Sequence, residues 1–118
     1  MKTSFTSSQL GAELQECIND CLSCHGVCLE TLTYCAQKGG KHAAAEHLAL
    51  LLDCAEACQT AANFMCRGSQ LHGRYCGVCA EVGRRCAESC ERFGEDAPMK
   101  ACADACRRCA ESCQRMAA

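Results

Sequence analysis

The residues most suited to chemistry in this 118-residue sequence are its 16 cysteines. They recur at intervals of three and four residues. Members of the pattern are Cys17, Cys21, Cys24, Cys28 and Cys35, then Cys54, Cys58 and Cys66, then Cys76, Cys79, Cys86 and Cys90, and finally Cys102, Cys106, Cys109 and Cys113. Intervals of three and four place side chains on one face of an α-helix. The spacing therefore predicts helices that each carry a row of thiols.

Three breaks divide these rows among four segments. They lie at residues 39–40, 68–69 and 94–98, where glycine suits the end of one helix and Ser69 or Asp96 suits the N-cap of the next. The predicted helices span about residues 7–38, 41–67, 70–93 and 97–116. Because the connections are short, we expect an all-α fold, an antiparallel up-down-up-down four-helix bundle with a Cys-lined core, in one domain over residues 1–118.

The helical phase of the cysteines places them inside this predicted bundle. At 100° per residue the five cysteines of the first segment fall within an arc of about 60°, and the four of the third within about 80°. Cys66 drifts to the edge of its row. A buried free cysteine can be simply a small apolar side chain. Sixteen in phase on four helices instead favour a shared function for the thiols.

The redox state of the thiols follows from the predicted compartment. A cysteine content this high is typical of secreted disulfide scaffolds. However, the first ten residues lack the apolar run of a signal peptide, and no stretch has the roughly 20 apolar residues of a membrane helix. We therefore expect a cytoplasmic protein with reduced cysteines, a composition that indicates metal binding. A net charge of −2 gives no reason to expect a nucleic-acid or membrane partner.

Disulfide formation remains the main alternative. Helical positions i and i+4 have Cβ atoms about 5–6 Å apart, whereas a disulfide needs about 3.5–4.5 Å. Pairs within one helix are therefore too far apart to bond to each other, but they are well placed to hold an ion between two sulfurs. Disulfides between helices would instead make the chain a stapled helical interaction module.

The metal is expected to be Cu(I), with multiple ions per chain. Thiolates select Cu(I), Zn(II) or iron–sulfur clusters. Exchange of a thiol proton for Cu⁺ leaves the charge of the core unchanged, whereas each Zn(Cys)₄ centre would bury two negative charges, which is costly. Iron–sulfur ligation favours runs such as C-x2-C-x2-C, which the sequence lacks. A Zn(II)-buffering protein remains an alternative.

Two local motifs have simpler explanations. Residues 21–25 match the C-x-x-C-H signature of haem attachment, but they lie within a predicted helix. Cys76 and Cys79 resemble a redox dithiol, but no βαβ pattern surrounds them. We expect no enzyme, because no base, oxyanion site or cofactor motif accompanies the cysteines.

These rows of Cys-x3-Cys and Cys-x2-Cys pairs, spread over nearly the whole chain, resemble those of the cytosolic copper storage proteins. The resemblance implies that the thiols line the interior of the bundle and bind many Cu(I) ions, largely through pairs of thiolates. It also implies that the chain forms a homo-oligomer, a tetramer. Every cysteine would then be a ligand, with Cys66 the furthest out of phase.

The two ends of the predicted bundle differ in chemistry. One end gathers Cys35, His42, His47, Cys90, Met99 and Cys102. We expect copper to enter there, with His47, His42 and Met99 as further ligands. The alternative for His47 is a core histidine bonded to a backbone carbonyl. The other end gathers Leu10, Leu14, Met65, Leu71 and Met116, which predict an apolar plug.

Two leucines in the second segment are out of phase with the cysteines. Leu48 and Leu52 lie about 100° or more from the direction of Cys54. A second apolar stripe commonly packs on a partner, so we expect the second helix to contribute to oligomer contacts. Scattered exposed leucines are the alternative. His25 and His72 are edge positions to which the sequence assigns no role.

Overall fold

The computed structural model describes residues 9–117, and the predicted four-helix bundle is confirmed. Its helices are α1 (Gln9–Lys38), α2 (Ala45–Cys66), α3 (His72–Glu91) and α4 (Ala97–Met116), with a short 3-10 helix at Gly40–Ala43. The bundle measures 49 × 21 × 19 Å. The predicted start of the first helix at residue 7 and the side chain of Leu10 lie outside the described residues.

The helices form a closed ring. α1 packs against α2 and α4, and α3 packs against the same two helices. One close approach depends on Gly83, because a Cβ at that position would lie 3.2 Å from the backbone oxygen of Cys106. Within residues 9–117, no helix is long and apolar enough to cross a membrane.

Two helices begin later than predicted. Gly39 and Gly40 both have positive φ, and residues 40–43 form the 3-10 helix, so α2 begins at Ala45 instead of residue 41. α3 begins at His72 because Ser69 caps a preceding turn, accepting a hydrogen bond from the backbone N–H of Leu71 at 3.1 Å. By contrast, Asp96 caps α4 as predicted, through the backbone N–H of Met99.

The core of the bundle consists mostly of small side chains. Cysteines and alanines fill most of it, and the larger apolar members are Leu14, Ile18, Leu51, Met65, Met99 and Met116. In the described residues, no Lys or Arg side chain is buried. The interior therefore offers sulfur atoms in a setting without compensating positive charge.

Candidate metal centre

Every cysteine except Cys66 is buried, and none of the 16 is in a disulfide. The buried cysteines are at most 1 % exposed. They come from all four helices, so the structure brings together the rows that the sequence predicts. The interior is a column of free thiols.

The sulfur atoms form overlapping groups in which all members lie within 4.8 Å of one another. Three groups have four sulfurs: Cys21/Cys79/Cys109/Cys113, Cys24/Cys28/Cys54/Cys106 and Cys28/Cys86/Cys102/Cys106. Two groups have three: Cys17/Cys76/Cys113 and Cys24/Cys58/Cys109. Because several cysteines belong to two groups, the groups join into one continuous array.

Distances within the array suit a bridging metal ion. The Sγ atoms of Cys21 and Cys113 are 3.4 Å apart, and those of Cys24 and Cys28, one helical turn apart, are separated by 3.9 Å. With metal–sulfur bonds of about 2.3 Å, two sulfurs can bind one ion when they are up to about 4.6 Å apart. Neighbouring thiols could therefore take up ions with little movement of the helices.

The thiols are coupled to one another electrostatically. The pKa of Cys106 is raised, first by its hydrogen bond with Cys102 and then by hydrogen bonds with other thiols and by burial. The hydrogen bond of Cys106 in turn lowers the pKa of Cys54. Among residues 9–117 no Lys or Arg is buried beside these thiols. Burial therefore disfavours thiolate across the array, and we expect the array to be protonated as a whole without metal.

At the end of the bundle near the 3-10 helix, three predicted ligands meet. The Sγ atom of Cys35 lies 3.5 Å from Nε2 of His47 and 3.6 Å from Sδ of Met99. Burial raises the pKa of Cys35 to about 11. Burial, and then the nearby Arg92, lower the pKa of His47. A neutral thiol, imidazole and thioether, all soft or borderline donors, therefore face one another.

The orientation of His47 differs from the backbone-carbonyl alternative. Its Nδ1 atom lies 2.7 Å from the hydroxyl of Ser89, which also accepts a hydrogen bond from Arg92 at 3.1 Å. This contact directs Nε2 towards Cys35. Sequence reasoning did not identify Ser89, although its position three residues after Cys86 is in phase with the core.

His42 is bound to a carboxylate rather than placed beside Cys35. Its Nε2 atom lies 2.9 Å from Asp96, which also accepts a hydrogen bond from the hydroxyl of Tyr34 at 2.8 Å. Burial alone would raise the pKa of Asp96, but the hydrogen bonds from Tyr34 and His42 lower it. The ring of Phe93 contacts both histidines, with its centroid 4.3 Å from the ring centroid of His42 and 5.0 Å from that of His47.

Two sequence expectations need correction. Cys66 is exposed, because the last turn of α2 places it away from the core. Its sulfur is in none of the groups, and neither are those of Cys35 and Cys90, but the latter two are buried. In the predicted plug, Leu14, Met65 and Met116 are buried, but Leu71 is 48 % exposed because it precedes α3 in a turn.

Fold and site together define a class: a cysteine-rich four-helix bundle with a metal-binding interior. The copper storage protein (Csp) family model matches residues 10–118, and the chain belongs to this family. No match was found among curated proteins.

Solved structures agree with this assignment. A crystal structure of a protein from Nitrosospira multiformis is 45 % identical to this chain, has a TM-score of 0.86, and the match covers 91 % of this chain and 96 % of that one. The Cu(I)-bound copper storage protein BsCsp3 is 30 % identical to this chain, with a TM-score of 0.83, and the match covers 90 % of this chain and 99 % of that one. Apo copper storage protein 3 from Bacillus subtilis is also 30 % identical to this chain, with a TM-score of 0.78, and the match covers 88 % of this chain and 98 % of that one.

Proposed function

We propose that this chain stores Cu(I), holding multiple ions on the thiolates of its buried array, and that it turns over no substrate. The observation that carries the proposal is the continuous set of free sulfurs within metal-bridging distance of one another. Family membership and the Cu(I)-bound state of BsCsp3 support the same metal. The proposed ligands are the buried cysteines, and Cys66 is not among them.

Charge balance explains why such an interior suits Cu(I). Each thiol proton replaced by Cu⁺ leaves the net charge of the core unchanged. Zn(II) bound by four thiolates would leave two negative charges per ion, and among residues 9–117 no buried cation would offset them. The array can therefore fill with Cu(I) without accumulating buried charge.

Cu(I) is proposed to enter beside Cys35, His47 and Met99. These side chains offer sulfur and nitrogen donors at the end of the bundle. Burial raises the pKa of Cys35 most, and Cys102 and Cys86, which belong to one of the four-sulfur groups, are near enough to raise it further electrostatically. Cys90 and Cys102, which are hydrogen-bonded to each other, are proposed to be the next ligands along the path. His42 is proposed to act at the rim, where Asp96 holds it.

The protein is also proposed to be cytoplasmic and to form a homo-oligomer, a tetramer, through α2. Reduced storage requires a compartment that keeps thiols free. Leu52 on α2 is 48 % exposed and Val78 on the neighbouring α3 is 57 % exposed, which supports an apolar contact surface. Leu48, in contrast, packs partly against the core.

Anaerobic titration of the reduced protein with Cu(I) tests the storage proposal. Thiolate-to-copper absorption should rise until many ions are bound per chain, and free-thiol counting before reduction should give close to 16 per chain. Saturation at one or two ions would contradict storage. A count near zero thiols would favour the disulfide-stapled alternative, and preferential retention of Zn(II) in competition would favour zinc buffering.

A further inference from the structure

A cavity of about 320 Å³ borders His47 at the proposed copper entrance. Its lining consists of Lys41, Ala44, Glu46, His47, Arg92 and Phe93. It shares Glu46 and Arg92 with a neighbouring groove of about 580 Å³ between α2 and α3. Both volumes lie within the range of about 300–1,000 Å³ that is typical of small-molecule sites. The cavity is therefore large enough for a molecule, whereas a bare ion would need none of this space.

The charges around the cavity favour an anion. Lys41 and Arg92 both line it, and among residues 9–117 neither forms an ion pair with a carboxylate. Glu46 is the acidic residue in the lining of the cavity, so this lining carries one net positive charge, while the whole chain carries −2. The lining of the neighbouring groove has three carboxylates against two guanidinium groups, so the excess positive charge is confined to the cavity. A positive cleft on a negative protein concentrates anions locally.

Arg92 connects this cavity to the proposed ligands. Its guanidinium donates hydrogen bonds to the hydroxyl of Ser89 at 3.1 Å and to the Ser89 backbone oxygen at 3.5 Å. The same hydroxyl lies 2.7 Å from His47, whose Nε2 atom faces Cys35. A fixed positive charge is thus two hydrogen bonds from the imidazole of His47 on the proposed copper path.

We infer that the cavity docks an anionic carrier of Cu(I), a complex of the ion with two small carboxylate-bearing thiols. The inference rests on the proposed function, and it names the form in which the metal arrives. Among excess small thiols Cu(I) is present as thiolate complexes, because soft ligands bind it strongly. The carboxylates of such a carrier would contact Lys41 and Arg92, and the copper would lie beside His47.

The transfer step balances without any change of oxidation state. Cu(I) exchanges its two carrier thiolates for Nε2 of His47 and the sulfur of Cys35. The proton of the Cys35 thiol passes to one departing thiolate, which leaves as a thiol, and the other leaves as a thiolate. The complex that forms on the protein is neutral, and the negative charge of the carrier leaves with the departing thiolate.

Two carriers of opposite charge test the inference. Glutathione bears carboxylates and cysteamine bears an amine, but both bind Cu(I) through a thiolate. Initial loading rates are measured by stopped-flow absorption for the wild type, Lys41→Glu and Arg74→Glu. Arg74 is exposed at the opposite end of the bundle, so its variant makes the same change in net charge away from the cavity. Rates are compared only within one carrier.

We expect Lys41→Glu to slow loading from glutathione by about tenfold at low salt, the lower end of what charged clefts contribute to association rates. Added salt should reduce the difference. Cysteamine delivery should not slow, and Arg74→Glu should match the wild type with either carrier. Equal slowing by both substitutions, or equal slowing with both carriers, would overturn the inference.

A measurement without copper separates this inference from the storage proposal. S-methylglutathione cannot bind Cu(I) through a thiolate but retains the carboxylates. Added to the apo protein, it should shift the NMR signals of Lys41, Phe93 and Arg92, and Lys41→Glu should abolish these shifts. Absence of shifts in the wild type would contradict docking even if the protein binds many copper ions. If the protein failed to bind more than two copper ions, the storage proposal would be contradicted, but the NMR test of docking could still be interpreted on its own.

Discussion

Loading the array with Cu(I) is expected to release about one proton per ion. We expect the apo thiols to be neutral, because within residues 9–117 no Lys or Arg is buried among them. Release of two protons per ion would leave one buried negative charge for each copper, and an uncompensated buried charge costs several kcal/mol. A filled array can avoid this cost only if thiolates and copper ions are nearly equal in number.

This proton balance fixes the pH dependence of the affinity. Because burial raises the pKa of Cys35 to about 11, its thiol stays protonated across the neutral range and must lose a proton to bind the metal. With one proton released per ion, affinity rises with pH by about tenfold per unit, or about 1.4 kcal/mol. Between pH 6 and pH 8 the dissociation constant should therefore fall by about 100-fold.

Two measurements check the prediction. In a pH-stat under anaerobic conditions, protons released are counted as Cu(I) is added as its acetonitrile complex, with alkylated protein as the control. Competition with a chromophoric chelator at several pH values gives the affinity slope. A ratio near zero would show that thiolates exist before loading, and a ratio near two would show that the core tolerates buried charge. Either result would refute the reasoning.

Three further predictions concern single substitutions. Cys106→Ala removes a sulfur shared by two four-membered groups and should lower the copper capacity by one or two ions in the anaerobic titration. As a control, Cys66→Ala should leave the capacity unchanged. Equal losses of capacity in the two variants would contradict the array as described. His47→Leu should slow loading while leaving the final capacity within about one ion, since it removes a nitrogen donor and every sulfur ligand remains. An unchanged rate by stopped-flow would exclude His47 from the entry path. Asp96→Ala removes the N-cap of α4 and should lower the free energy of unfolding by about 1 kcal/mol in urea denaturation, while Asp96→Asn, which can still cap, should lose less; equal losses would place the contribution in the contact with His42 instead.

The sequence predicted the fold and most of the array because the cysteines themselves follow the helical period. On α1 and α4 every cysteine in the repeat is buried, as the phase requires. Cys66 shows the limit of this reasoning, since a position at the edge of a helical face is decided by where the helix ends and how it packs.

Features that depend on chain geometry between helices could not be predicted. Glycines at 39–40 indicated a break, but not the 3-10 helix that delays α2 until Ala45. The hydrogen bonds that Ser89 makes with His47, and Asp96 with His42, join residues 42 and 54 positions apart. Helical periodicity reports which face a residue occupies and carries no information on such partners.

Anomalous diffraction at the copper edge, from crystals of protein loaded with Cu(I), tests the central claim most directly. We expect a row of copper peaks along the bundle axis, running from the Cys35 end towards Cys17. Each peak should lie within bonding distance of two or more of the buried sulfurs. Copper confined to surface sites, or density for covalent bonds between the sulfurs in place of metal, would contradict the account.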